Sequence, residues 1–247
     1  MRTKQLGKTD LKVSVVALGT WPMGGSTYGQ VDDNESITTI QAALDAGVNL
    51  IDTAPAYGDG RAETVVGKAI KGRRDQVIVA TKVGIVRQPG GKWRNLKPES
   101  IRQQIEGSLR RLNVDTIDLY QIHWPDPDTP IEDSIGELIK LQESGKFRYL
   151  GVSNFDTKLM DQVLSMTGLA SLQPHYSLLN REIEDEILPY CIKHQIGILS
   201  YGSLGSGILA GKYKDRPVFA EGDTRYNFYR FFQEPNWSKA MQLVDVL

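Results

Sequence analysis

VNLIDTAPAYGDG, Val48 to Gly60, is the stretch on which the fold turns. Its apolar run closes at Asp52, and the next tyrosine, Tyr57, is followed by Gly58 and Gly60. A short apolar run that stops at a polar residue reads as a buried strand, and the proline and glycines after it read as a turn. A carboxylate at a strand end and a phenol on a glycine-flanked turn make a poor core. They are a good way to present two titratable groups to one cavity. A helix over about 61–71, stopped by Gly72, completes the unit.

The same unit recurs on both sides. Upstream, residues 3–16 read as a small hairpin, 15–20 as a short buried strand, and 35–46 as a helix capped by Asp33 or Asn34. Downstream, strands are expected over 77–82, 117–123, 149–152, 169–173 and 197–201. Helices are expected over 98–112, 131–144, 157–166, 181–194 and from 237 on. Pro98 suits the first turn of its helix. Loops after strands are long and loops after helices short.

Such alternation implies parallel strands joined by right-handed crossovers. A doubly wound dinucleotide fold should carry Gly-x-Gly-x-x-Gly after its first strand. Gly19 is followed instead by Thr-Trp-Pro-Met-Gly-Gly. That favours a (β/α)8 TIM barrel in a single domain over 1–247, with the hairpin at its N-terminus and seven of eight βα units visible. Seven parallel strands leave two raw edges. The chain is therefore expected to be shortened at its C-terminus, or closed by an irregular segment or another chain.

Composition excludes several functions. The 247 residues carry a formal net charge of −1, too little basic field for nucleic acid or an anionic membrane. No apolar run is long enough to span a bilayer, and the polar N-terminus is unlike a signal peptide. The single cysteine, Cys191, makes no internal disulfide, which points to the cytoplasm. It reads as a core or helix-face residue, with no motif to make it a nucleophile. An oligomer is compatible with the open edges.

In a barrel, function gathers at the C-terminal ends of the strands. Asp52, Lys82 and His123 end successive strands and would share one rim, with Tyr57 leaning over it. Each alone has a plain alternative: a turn cap, a solvated lysine, a core histidine, a half-buried tyrosine. Together they suit proton donation by a phenol. A cation about 4 Å from the phenol at an effective dielectric of ~20 favours phenolate by roughly 4 kcal/mol. Lys82 is thus expected to draw Tyr57 toward working pH, with Asp52 holding Lys82 and His123 donating to a substrate oxygen. No metal-ligand cluster competes for the site.

The remaining strand ends suit a cofactor. Ser153, Asn154 and Gln173 fit a carboxamide, and Tyr201 offers a flat face. The loop Gly202, Ser203, Leu204, Gly205, Ser206, Gly207 offers backbone N–H groups to a diphosphate, with Lys212 adding charge. That loop also reads as an ordinary flexible loop, and Ser153-Asn154 as a helix N-cap. Trp21, Tyr28, Trp93 and Trp124 follow barrel strands and are candidate walls of a substrate pocket.

These residues resemble the aldo-keto reductase family. The motifs are LGT at 18–20, DTAPAYGDGRAE at 52–63, ATK at 80–82, DLYQIHWPDP at 118–127, GVSNF at 151–155 and YGSLGSGILAGKY at 201–213. Within the family the chain looks similar to bacterial general-stress and inositol-operon-type reductases. The resemblance implies a barrel that uses NADPH/NADP+ to interconvert small-molecule carbonyls and alcohols. It implies a tetrad at Asp52, Tyr57, Lys82 and His123, and nicotinamide contacts at Ser153, Asn154, Gln173 and Tyr201. Gly19, Thr20 and Trp21 join Asp52 and the glycine loop in the implied cofactor set. Ala62 stands where the family usually has serine. The family's last helix, eighth strand and following helix, which grip the adenosine 2′-phosphate, have no counterpart. Two alternatives follow: a cofactor-holding regulatory subunit similar to potassium-channel β subunits, or a shortened chain with impaired cofactor binding.

Overall fold

The computed structural model describes residues 1–25, 28–86 and 93–247. Strands β1 (Thr3–Gln5) and β2 (Lys12–Ser14) form an antiparallel hairpin. Then come β3 (Leu18–Gly19), α1 (Asp33–Asp45), β4 (Leu50–Asp52), α2 (Arg61–Ala69), β5 (Ile78–Val83), α3 (Pro98–Leu112) and β6 (Ile117–Ile122). Next are α4 (Ile131–Glu143), β7 (Phe147–Ser153), α5 (Thr157–Leu164), β8 (Ser171–Gln173), α6 (Ile187–His194) and β9 (Gly197–Ile198). Helices α7 (Arg225–Phe228) and α8 (Asn236–Val244) follow an irregular stretch.

Strands β3 to β9 form one parallel sheet in sequence order. This is the seven-strand arc of a (β/α)8 barrel. Among the described residues, β3 and β9 are its unpaired edges.

Strand alternation sorts the side chains into two surfaces. Outward residues such as Ile51, Val79, Tyr120, Ile122, Val152 and Leu172 pack with the helices in the main core. Inward residues Leu50, Ala80 and Leu119 pack with Ala170 on Leu6, Leu11 and Val13 of the hairpin, which plugs the bottom of the barrel. One step further along the same strands, the inward positions turn polar: Asp52, Lys82, Gln121, Ser153, Ser171 and Gln173. The barrel therefore has an apolar floor and a polar upper storey.

Several local expectations need correction. Residues 15–17 are exposed, and the strand begins only at Leu18, where pairing with Ile51 starts. Asp32, not Asp33 or Asn34, caps α1, its carboxylate accepting from Glu35 N–H at 2.9 Å. The helix expected over 181–194 is broken into a 3-10 turn, Glu182–Glu184, and α6. Pro189 explains the break, because its ring conflicts with a helical carbonyl four residues earlier. Strand β9 stops at Ile198, and Tyr201 joins the sheet only through an isolated bridge to His175.

The irregular stretch after β9 has its own core. Ile208, Tyr229, Phe231, Phe232, Trp237 and Ala240 cluster there, with Trp21 and Leu179 packed against them.

Candidate active site

The tyrosine turn is placed by a close approach of two backbones. Gly58 has φ 63°, and a Cβ there would lie 2.1 Å from the carbonyl oxygen of Gly24. Only glycine permits that contact in the left-handed region. The contact brings the loop after β3 onto the turn, so the Trp21 ring stacks on the Tyr57 ring at 6.1 Å and 22°.

Lys82 is fully buried at the end of β5. Its Nζ donates to Asp52 Oδ2 at 2.7 Å, to the Thr53 carbonyl at 3.0 Å and to Tyr57 Oη at 3.2 Å. The His123 ring meets Tyr57 edge-on, 5.8 Å between centroids. The structure thus gathers Asp52, Tyr57, Lys82 and His123 at one end of the barrel.

The electrostatics differ from the expectation in one respect. Burial raises the Tyr57 pKa, Lys82 pulls it down, and Asp52 pushes it up again; the net shift is upward. The phenol therefore stays protonated rather than being drawn toward neutrality. Burial works against the Lys82 charge, but Asp52 and Tyr57 outweigh it and raise the ammonium pKa. Burial, reinforced by Lys82, holds His123 well below its ordinary range, so its imidazole is neutral.

The remaining polar strand ends connect directly to this group. Gln173 Nε2 donates to Asp52 Oδ1 at 2.8 Å. The Ser153 hydroxyl donates to the Gln173 carbonyl at 2.7 Å, and Asn154 Nδ2 donates to Ser153 Oγ at 2.9 Å and to the His123 carbonyl at 3.1 Å. Tyr201 Oη donates to Asn154 Oδ1 at 3.0 Å. One face of the Tyr201 ring is covered by His175, 5.1 Å away and nearly parallel. Side-by-side amides and a hydroxyl beside a flat ring match the donor and acceptor needs of a nicotinamide carboxamide.

In the glycine loop, Gly202, Gly205, Ser206 and Gly207 all have positive φ, from 54° to 98°. Several N–H groups are spent inside the loop, Gly205 donating to the Gly202 carbonyl at 2.9 Å and Gly207 to the Leu204 carbonyl at 3.1 Å. A Cβ at Gly202 would strike the His175 ring at 2.7 Å. Ser203 and Leu204 are exposed beside it, and Lys212 is exposed with its Nζ 5.7 Å from the Tyr213 ring centre. Gly19 is exposed, whereas Thr20 is buried and spends both its amide and its hydroxyl on the Asp52 carbonyl. Thr20 shapes the strand end more than it presents a donor.

The aromatic candidates divide. Trp21 and Tyr28 meet edge-to-face at 5.2 Å, and Tyr28 Oη lies 3.4 Å from Ser206 Oγ. Trp124 lies instead under the Arg94 guanidinium, and Trp93 is 56% exposed. Phe228 and Tyr229 complete the packing on Trp21, at 5.1 and 6.5 Å. They went unread because their stretch has no periodicity. Two further groups also went unread. Gln121 reaches Asp52 from β6, at the same strand parity as His123. Glu63, fully buried, accepts from the Thr81 hydroxyl and pairs with Arg111. A polar residue inside the apolar run Ile-Asp-Leu-Tyr-Gln-Ile was the available signal for Gln121.

Cys191 is buried in α6, and burial pushes its thiol up to about 11, in keeping with a core residue. Among the described residues no cluster of His, Cys, Asp and Glu could hold a metal ion. No described helix is long and apolar enough to cross a membrane.

The sequence profile of the Aldo/keto reductase family matches residues 15–247, the whole of this parallel barrel arc. The chain belongs to the aldo/keto reductase family. It is 44% identical over 249 residues to Aldo-keto reductase YhdN of Bacillus subtilis (strain 168), covering all of this chain and 75% of that protein. It is 37% identical to the NADH-specific methylglyoxal reductase of Escherichia coli (strain K12), covering 99% of this chain and 79% of that one. Among solved structures, the glycerol dehydrogenase AKR11B4 from Gluconobacter oxydans superposes with a TM-score of 0.88 at 45% identity. That match covers 99% of this chain and 76% of the dehydrogenase. An aldo-keto reductase from Klebsiella pneumoniae in complex with NADPH gives 0.71 at 34% identity, over 87% and 72% of the two chains.

Proposed function

We propose that this chain is a cytoplasmic, nicotinamide-dependent carbonyl reductase that prefers NADPH, with Tyr57 as its general acid. The observation that carries the reading is the Lys82 ammonium held between Asp52 and the Tyr57 hydroxyl. Ser153, Asn154, Gln173 and Tyr201 would hold the nicotinamide, and the 202–207 loop with Lys212 the diphosphate. When bound, the reduced nicotinamide supplies hydride to the carbonyl carbon. Tyr57 gives its proton to the carbonyl oxygen, and Lys82 stabilises the phenolate left behind. Asp52 keeps Lys82 charged and aimed. Neutral His123 donates an N–H to the same oxygen and orients the substrate. Trp21, stacked over Tyr57, excludes water from the proton donor. The reverse sequence oxidises an alcohol.

A buried, still-protonated phenol suits this task in the reducing direction, because general acid catalysis needs the proton in place. One relative is named for methylglyoxal and one solved neighbour for glycerol, so small polar carbonyl compounds are the first substrates to assay. The NADPH complex of a neighbour favours NADP, while the NADH-specific relative sets the competing coenzyme. Fluorescence titration with both coenzymes decides between them. Turnover of NADPH with methylglyoxal or 4-nitrobenzaldehyde is expected, and Tyr57→Phe should lower it roughly a hundredfold or more without loss of fold. A Phe variant as fast as the parent removes the assignment.

A further inference from the structure

The upper storey of the barrel contains a side chain that packing alone does not explain. Gln121 is fully buried on β6, paired in register with Lys82 on one side and Gly151 on the other. Its Nε2 donates to Asp52 Oδ1 at 3.3 Å. Its Oε1 is buried with no hydrogen-bond partner among the described residues. Turning the amide over would set that oxygen against the Asp52 carboxylate, so the orientation is fixed by charge. A buried polar atom left unpaired costs stability, and an unbranched apolar side chain of similar volume would fill the same space without that cost. The neighbouring inward position, Leu119, is apolar.

Asp52 is the hub that Gln121 serves. Oδ2 is taken by Lys82, and Oδ1 is shared by Gln121 and Gln173. Gln173 also belongs to the cluster with Ser153 and Asn154, on the side assigned above to the nicotinamide. Its main-chain carbonyl is thus tied to Ser153 while its side-chain amide donates to Asp52, whereas Gln121 reaches the carboxylate from β6 with Asp52 as its side-chain partner. We infer that Gln121 is a positioning residue. It holds the Asp52 carboxylate in the orientation that aims Lys82 at Tyr57, independently of what Gln173 is doing. This inference rests on the Tyr57 acid reading above.

The test is Gln121→Met in the whole chain, beside Tyr57→Phe. A hydrogen bond to a charged group makes a difference of about tenfold or more in rate when it acts only through the reacting groups. The Met variant is expected to lose about that much kcat, with substrate KM and NADPH affinity changed less than about twofold. Its melting temperature should change little, because the lost hydrogen bond to Asp52 and the removed unpaired oxygen act in opposite directions. A residue that only packs the barrel would lose stability and rate together, and that result overturns the inference. Parent-level kcat in the Met variant also overturns it. Should Tyr57→Phe retain full rate as well, the acid reading falls; a slow Phe variant beside a fast Met variant sinks the Gln121 assignment alone. A crystal structure of the Met variant gives a readout that needs no turnover. The Asp52 carboxylate is expected to rotate or split between two orientations, and an unmoved carboxylate overturns the proposal.

Discussion

Lys82 Nζ lies 3.2 Å from Tyr57 Oη although Lys82 sits on β5 and Tyr57 on the turn after β4, and the same nitrogen lies 2.7 Å from Asp52 Oδ2. The ammonium is wholly inaccessible and its carboxylate partner 16% exposed. Removing one member of such a pair leaves an uncompensated buried charge. Lys82→Met is therefore expected to destabilise the chain by about 3 kcal/mol or more. The double variant Asp52→Asn, Lys82→Met should regain most of that stability and none of the activity. Urea unfolding of the three proteins checks this; equal stability of single and double variants would show that the charge pair is not the cause.

The pH dependence follows from the directions of the shifts. Tyr57 is raised, so it remains an acid through the neutral range. The rate of carbonyl reduction should show no loss from this group until pH exceeds about 10, the ordinary tyrosine value. A kcat profile with a descending limb near neutrality, absent from the Tyr57→Phe residual rate, contradicts that. His123 is lowered. Below about pH 6.5 the unfolded chain takes up a proton that the folded site refuses, so stability declines as pH falls, by up to about 1.4 kcal/mol per pH unit. His123→Gln should flatten that decline, measured as urea midpoints at acidic and neutral pH.

The helix that follows the tyrosine turn is tied to the lysine strand from behind. Glu63 Oε1 accepts from Thr81 Oγ1 at 2.6 Å, one residue before Lys82, and Glu63 Oε2 takes Arg111 at 2.7 Å. Arg111 is partly exposed while Glu63 is not. Arg111→Met should cost about 2–3 kcal/mol, less than a fully buried pair, because solvent screens part of the loss. Glu63→Gln, which keeps a hydrogen-bonding group for both partners, should cost less. Thermal unfolding ranks the two; the opposite order would place the main strain at Thr81.

Gly58 is the pivot of the turn. An alanine there must adopt a left-handed backbone, at about 1–2 kcal/mol, and push against Gly24 O. Overpacking adds about 1–3 kcal/mol more. Gly58→Ala should therefore unfold earlier and, where still folded, show a rate loss larger than its stability loss predicts. Circular dichroism with kinetics at a temperature well below the transition separates the two effects.

The sequence by itself settled the order and direction of the strands, because apolar runs alternating with helical periodicity are local properties. It also marked Asp52, Lys82, His123 and Gln173, since a polar residue closing an apolar run stands out against its neighbours, and Tyr57 through the glycines of its turn. Local signals weakened where the run was short or irregular. Residues 15–17 are apolar yet exposed, since pairing with β4 begins only at Leu18. The stretch bearing Phe228 and Tyr229 shows no period although it packs on Trp21. The tertiary structure alone decided which way the Tyr57 pKa moves. A pairwise estimate sees the Lys82 charge, whereas the shift is set by all the atoms that displace water from the phenol, and those come from distant segments of the chain. Gln121 became legible for the same reason: its partner Asp52 lies two strands away, and only the curl of the sheet brings them together.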